Sequence, residues 1–199
     1  MQTSAPLTEN SPIMPILFIG HGSPMNAIEE NEFSLKWKEL SKSFPLPSAI
    51  VSISAHWETK GTYVTTAQQP DIIYDFYGFP DVLYEQLYPA KGDPELAKEI
   101  ISTVKKSYLE KDNQWGLDHG TWSVLKHLFP QANVPVIQIS IDRNLTSRQH
   151  VEIAKELAFL RTKGVLVIGS GNMIHNLRML KIKGNDFNAE YGYDWAFEL

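Results

Sequence analysis

The stretch ILFIGHGSPMN, residues 16–26, sets an apolar run against a histidine held between two glycines. Ile16, Leu17, Phe18 and Ile19 form a short continuous apolar run stopped by glycine, which predicts a strand buried on both faces. The same order of events returns along the chain. AIVSIS (49–54), rich in β-branched residues, runs straight into AHWE, and VLVI (165–168) runs straight into GSGNMIHN. VPVIQISI (134–141) reads as a further strand. Between these runs, apolar residues recur at helical spacing over 30–43, 94–108, 121–129 and 147–163, the second with Pro94 near its first turn and the last ended by Gly164. Residues 65–94, with Tyr74, Phe76, Tyr77, Phe79 and Tyr84 broken by Gly and Pro, read as a structured loop with a short helix at its end. Strands alternating with helices predict an α/β fold, a single domain with a mostly parallel central sheet and helices on both faces. The polar start, 1–14, is expected to be a tail and 15–199 the domain. In such sheets ligands bind beyond the carboxyl ends of the strands.

Composition narrows the chemistry. The chain has 199 residues, is 43% hydrophobic and carries a formal charge of −5, enough apolar material for one sizeable core and too little basic charge for a nucleic-acid groove or polybasic membrane surface. No apolar stretch approaches the roughly 18 residues of a membrane span, and the start lacks a secretory pattern, so a cytoplasmic protein with a small-molecule partner is expected. Cysteine is absent, so any metal must be held by His, Asp or Glu, a donor choice that favours zinc or non-haem iron.

The six histidines are placed unevenly. His21 and His56 each follow a strand, and His175 lies seven residues beyond VLVI, so three imidazoles can converge on one rim of the sheet. His119 opens a helix and is a candidate to join them. A single histidine of this kind is more often a hydrogen-bonded structural residue, but three at equivalent strand ends can form a nitrogen-rich metal site. His127 and His150 lie within helices among charged residues and are expected at the surface. Asp118 either orients an imidazole or caps the following helix. Asn172 and Asn176 either face substrate or satisfy a turn, Trp57 and Trp122 wall either a pocket or the core, and Arg178 is expected at the surface. GSGN lacks the spacing of a phosphate loop, and neither Ser23 nor Ser170 sits in G-x-S-x-G.

Taken in order, GHGSPMN (20–26), SAHWET (54–59), YDFYGFP (74–80), LDHGTW (117–122), VIQISID (136–142) and GSGNMIHNLR (169–178) resemble the 4,5-DOPA extradiol dioxygenase family, among the class III extradiol ring-cleaving dioxygenases. The resemblance implies opening of a catechol such as DOPA with O₂ at an Fe(II) site that can also hold Zn(II). It implies His21 and His56 as metal ligands, His175 as a further ligand or the acid/base residue, and His119 as either a residue standing behind the ligands or a proton-transfer residue. Ser23, Trp57, Phe76, Asn172 and Asn176 are the expected substrate contacts. The family's late His-Pro-Leu segment has no counterpart here, so the C-terminal part of the catalytic domain is expected to be missing. Two other readings stand beside this one. A tetrapyrrole metal chelatase also places a histidine in a GHGS-type turn, and a non-catalytic binding module can keep the same scaffold.

Overall fold

The computed structural model describes residues 13–172. Its centre is a four-stranded parallel sheet of β1 (Ile16–Ile19), β2 (Ala49–Ser54), β6 (Val136–Gln138) and β8 (Val165–Ser170) in the order β1-β8-β2-β6. Two short parallel pairs extend the fold: β3 (Glu58–Thr59) with β7 (Ile141–Asp142), and β4 (Thr62–Thr65) with β5 (Leu109–Asp112). Six helices accompany them among the described residues: α1 (Glu32–Leu40), α2 (Asp81–Tyr84), α3 (Pro94–Thr103), α4 (His119–Leu128), α5 (Ser147–Glu156) and α6 (Phe159–Thr162).

Alternation along the strands builds two cores. Ile50, Val136, Leu166 and Ile168 point to a face covered by Trp37 of α1 and by Trp122, Leu125 and Leu128 of α4. Ala49, Val51, Ile137, Val165 and Val167 point to the opposite face, covered by Ala97 and Ile100 of α3, Ile153 of α5 and Leu160 of α6. The crossovers obey one handedness rule. The chain moves from β1 across β8 to β2 with α1 on one face, and from β6 back across β2 to β8 with α5 and α6 on the other, as right-handed connections require.

Several expectations change in detail. β1 is not buried on both faces: Ile16 and Phe18 are 56% and 67% exposed, because among the described residues β1 is the sheet's edge and α5 and α6 lie under the sheet's interior. The helix expected over 94–108 stops at Thr103, where Val104 turns extended (φ −71°, ψ 126°) and leads into β5. The run 134–141 is broken into β6 and β7: Ile139 N–H still donates to Ser52 O of β2, and Ser140 N–H turns instead to Tyr63 O of β4. The helix expected over 147–163 divides into α5 and α6 about Leu157 and Ala158. Strands β3, β4 and β5 carry no run long enough to be read in advance. His127 is half-buried rather than a surface residue, its ring 5.7 Å from that of Trp37 and its Nε2–H donating to Asn26 O (2.6 Å). His150 is likewise half-buried, bonded to Asp142 O.

Candidate metal centre

The carboxyl ends of β1, β2 and β8 and the start of α4 meet at one point. After β1 the chain turns through Gly22, whose φ of +64° suits glycine and where a Cβ would fall 2.7 Å from Asn26 Nδ2. That amide donates to His21 O (3.0 Å), and Ser23 Oγ accepts from Met25 N (3.2 Å) to cap the short 3-10 turn Pro24–Ala27. His21 is thereby held inward and buried. His56 follows β2, where Ala55 N–H donates to Ser170 O (2.9 Å). His119 is the first residue of α4, whose N-cap is Asp118.

The three imidazoles converge. Each offers a ring nitrogen, all within 4.8 Å of one another, and His21 Nε2 lies 3.0 Å from His56 Nε2. Ring centroids are 4.9 Å apart for His21 and His56, 5.4 Å for His21 and His119, and 4.1 Å for His56 and His119.

Asp75, in the YDFYGFP segment, orients one of these rings and faces a second. Its Oδ1 accepts from the backbone N–H of His119 (2.8 Å) and from His119 Nδ1–H (2.9 Å), while Oδ2 faces His56 Nδ1 at 3.2 Å. Burial pushes the Asp75 carboxyl up, but the hydrogen bonds and charge of His119, with the charge of His56, together outweigh it and hold the group below the ordinary carboxylate range. The segment is brought here by backbone pairing: Ile73 N–H donates to Leu117 O and Leu117 N–H to Asp71 O, both 2.7 Å, and Trp122 Nε1 donates to Ile73 O. Sequence reasoning passed over Asp75 because an aspartate in an aromatic loop carries no local signal of its partners.

The donor chemistry fits a cation. Ser170 donates its hydroxyl to Gly120 O, so toward His21 Nδ1, 3.0 Å away, it can only accept. His21 and His119 each therefore commit Nδ1–H to an oxygen, which leaves their Nε2 atoms as acceptors or ligands. The 3.0 Å contact between His56 Nε2 and His21 Nε2 is a hydrogen bond that a metal taken up by both nitrogens would replace. Nitrogens each ~2.0–2.1 Å from one metal lie roughly 3 Å apart at neighbouring positions. The described residues can thus hold a metal through three imidazole nitrogens.

Asp118 has the other of its two candidate roles. It caps α4 by accepting from Thr121 N, and it also accepts from Ser54 Oγ (2.7 Å) and Gln138 Nε2 (2.6 Å). Burial pushes its carboxyl up, against the pull of the Gln138 and Ser54 hydrogen bonds. Of the expected substrate contacts, Phe76 stands edge-on to His119, centroids 5.5 Å apart. Its ring also meets Phe79 and Tyr84 in an aromatic wall. Asn172 Oδ1 accepts from Gly22 N–H (3.2 Å), the turn-satisfying role. Ser23 is the cap already described, Trp57 is buried and stacks flat on Trp115 (5.4 Å), and Trp122 is core. His175, Asn176 and Arg178 lie outside the described residues.

A parallel α/β sheet with three imidazoles converging at its carboxyl edge defines a class of protein with a nitrogen-donor cluster able to hold a metal. The family described as the catalytic LigB subunit of aromatic ring-opening dioxygenase matches residues 14–197, and the chain belongs to it. The chain is 44% identical over 184 residues to a 4,5-DOPA dioxygenase extradiol of Escherichia coli K12, an alignment covering 92% of this chain and 66% of that protein. It is 42% identical over 172 residues to a protein of the same name from Beta vulgaris, covering 82% and 63%. The crystal structure of an uncharacterized protein from Escherichia coli K12 superposes with a TM-score of 0.72 at 40% identity, covering 86% of this chain and 65% of that one. The chain therefore spans just under two thirds of the length of these relatives. The chelatase and non-catalytic readings are not favoured beside relatives that bear the dioxygenase name.

Proposed function

We propose that this chain carries the metal-binding part of an extradiol dioxygenase that opens the ring of a catechol such as DOPA with O₂. The observation that carries the reading is the convergence of His21, His56 and His119, whose ring nitrogens lie within 4.8 Å of one another. Fe(II) is the metal we propose for activity, with Zn(II) able to occupy the same nitrogens; a bound Fe(II) supplies the redox and Lewis-acid chemistry that allows a catecholate to react with O₂. Membership of an aromatic ring-opening family supports iron, and the all-imidazole donor set is compatible with both metals.

The chain's own residues would bind, orient and move protons. The Phe76 edge beside His119 places a flat apolar wall next to the imidazoles, where a catechol ring can pack. Histidine suits removal and return of the catechol hydroxyl proton near neutral pH, and we assign that work to His119 or His175. His175 is also a candidate fourth ligand. Ser23, Asn172 and Asn176 are proposed to line the substrate approach, with Trp57 behind them. The partners are the catechol and O₂; no nucleic acid or membrane is invoked, and among the described residues no helix is long and apolar enough to cross a membrane. A cytoplasmic setting agrees with a cysteine-free chain.

Anaerobic loading with Fe(II), followed by oxygen uptake and absorption spectra on adding L-DOPA, tests the reading. The expected result is O₂ consumed one-for-one with catechol and a new yellow ring-opened product, with metal and turnover both lost in His21→Ala and His56→Ala. Stoichiometric metal retained in either variant would remove that histidine from the ligand set.

A further inference from the structure

We infer that Asn26 and Asn31 are positioning residues, a two-amide relay through which the first turn of α1 sets the His21 turn and with it the hold on a metal. The inference rests on the metal-centre reading above. Asn26, the last residue of GHGSPMN, is 4% exposed and bonded on three sides. Its Nδ2–H donates to His21 O (3.0 Å), its Oδ1 accepts from Asn31 Nδ2 (2.8 Å), and its backbone O accepts from His127 Nε2 in the last turn of α4 (2.6 Å). Asn31 is the N-cap of α1, and its Oδ1 accepts from Phe33 N and Ser34 N, both at 3.1 Å. The two ends fix the sense of both amides. A carbonyl oxygen only accepts, so the group facing His21 O is the Asn26 NH₂; backbone N–H groups only donate, so the group facing α1 is the Asn31 oxygen. One oxygen and one NH₂ are left in the middle, and they meet. Space adds to this: a Cβ on Gly22 would fall 2.7 Å from Asn26 Nδ2, so the amide lies directly against the turn that carries His21. Because α4 holds His119 in its first turn, the same asparagine also joins the His21 turn to the helix that brings the third imidazole.

Aspartate at position 31 separates the cap from the relay. It caps a helix as well as asparagine does, and its charge suits a helix N-terminus. Toward Asn26, however, it offers an oxygen where the NH₂ stood. Asn26 Oδ1 then faces that oxygen, or the amide rotates to bond it and turns Oδ1 on His21 O. Either arrangement sets two oxygens at hydrogen-bond distance, and the His21 turn shifts to relieve them. Serine at 31 also caps, but its short side chain, engaged by the helix N–H groups, leaves the Asn26 NH₂ on His21 O.

The test is Co(II) titration of the 199-residue chain by d–d absorption, with urea denaturation and NMR hydrogen exchange of the Asn26 side-chain amide in the metal-free protein. Slow exchange of that amide is expected in the wild type. In Asn31→Asp the unfolding midpoint is expected to hold or rise, the Asn26 amide to exchange faster, and Co(II) affinity to fall about 10–100-fold. Asn26→Asp, which removes the donor to His21 O at constant shape, is expected to lose affinity likewise, and Asn31→Ser to lose much less. A merely structural cap would not separate Asn31→Asp from Asn31→Ser. Unchanged affinity in Asn31→Asp, equal losses in the two position-31 variants, or a wild-type Asn26 amide that exchanges like an exposed one would each overturn the inference. A wild type that takes up no Co(II), yet whose protected Asn26 amide is released by Asn31→Asp, would leave the relay standing and remove the metal reading instead.

Discussion

Gly120 shows how little room the centre leaves. It is the second residue of α4, and a Cβ there would fall 2.7 Å from Ser54 Oγ, 3.0 Å from His56 Cδ2 and 3.2 Å from Asp118 Oδ1. Ser54 cannot swing away freely, because its hydroxyl donates to Asp118 at 2.7 Å, and that carboxylate is capping α4. Gly120→Ala is therefore expected to cost about 1–3 kcal/mol by overpacking and to push the His56 ring off its partners. Urea denaturation reads the first effect and Zn(II) competition against a chelator the second. A variant with wild-type stability and wild-type zinc affinity would show that the contact relaxes without consequence. Asp118 and Asp75 make an instructive pair. Both are acidic residues near His119, yet one closes a helix end and bonds Ser54 and Gln138, and the other reaches two imidazoles. Adjacency in sequence favoured Asp118; the spatial partner came from a segment 44 residues away.

Elements, rather than single side chains, explain His127. It lies in the last turn of α4, against Trp37 of α1, and donates Nε2–H to Asn26 O, at the end of the turn that follows His21. Burial holds its pKa below the ordinary histidine value, with the Asn26 bond pulling weakly the other way. The unfolded chain therefore takes up this proton at higher pH than the folded one. The stability His127 confers is complete above its unfolded pKa and falls as pH drops through the window between that value and the lower folded one. Denaturation midpoints of wild type and His127→Gln, compared at about pH 7.5 and about pH 5.5 around the unperturbed value near 6.5, are expected to show a smaller acid-side loss in the variant. Glutamine keeps a donor for Asn26 O and cannot titrate. An equal loss in both proteins would assign the pH dependence to other groups.

Across the whole molecule, the two faces of the sheet are unequally covered. Interior strands are closed on both sides, while β1 turns Ile16 and Phe18 outward at the edge, and an open groove of about 550 Å³ beside it is bordered by Leu17, Leu40, Phe44 and Arg161. Exposed apolar edge strands invite pairing with another chain. Phe18→Lys is expected to change folding stability by less than about 0.5 kcal/mol, as surface substitutions do, and to lower association at high concentration in light-scattering measurements. A large stability loss would mean that the ring is covered in solution. The α/β alternation, the parallel sheet and the strand-end positions of His21 and His56 were legible in the chain itself, because local apolar runs and β-branched residues act over a few residues. The helix start at His119 was legible too, through the cap Asp118 provides. What only the tertiary structure decided is of longer range: that β1 is an edge among the described residues, that 134–141 breaks between two sheets, that His119 stands with His21 and His56, and that Asp75 bonds His119 and faces His56. Each depends on segments tens of residues apart being brought within hydrogen-bond distance, and pairings of that kind leave no periodic trace in either partner's own sequence.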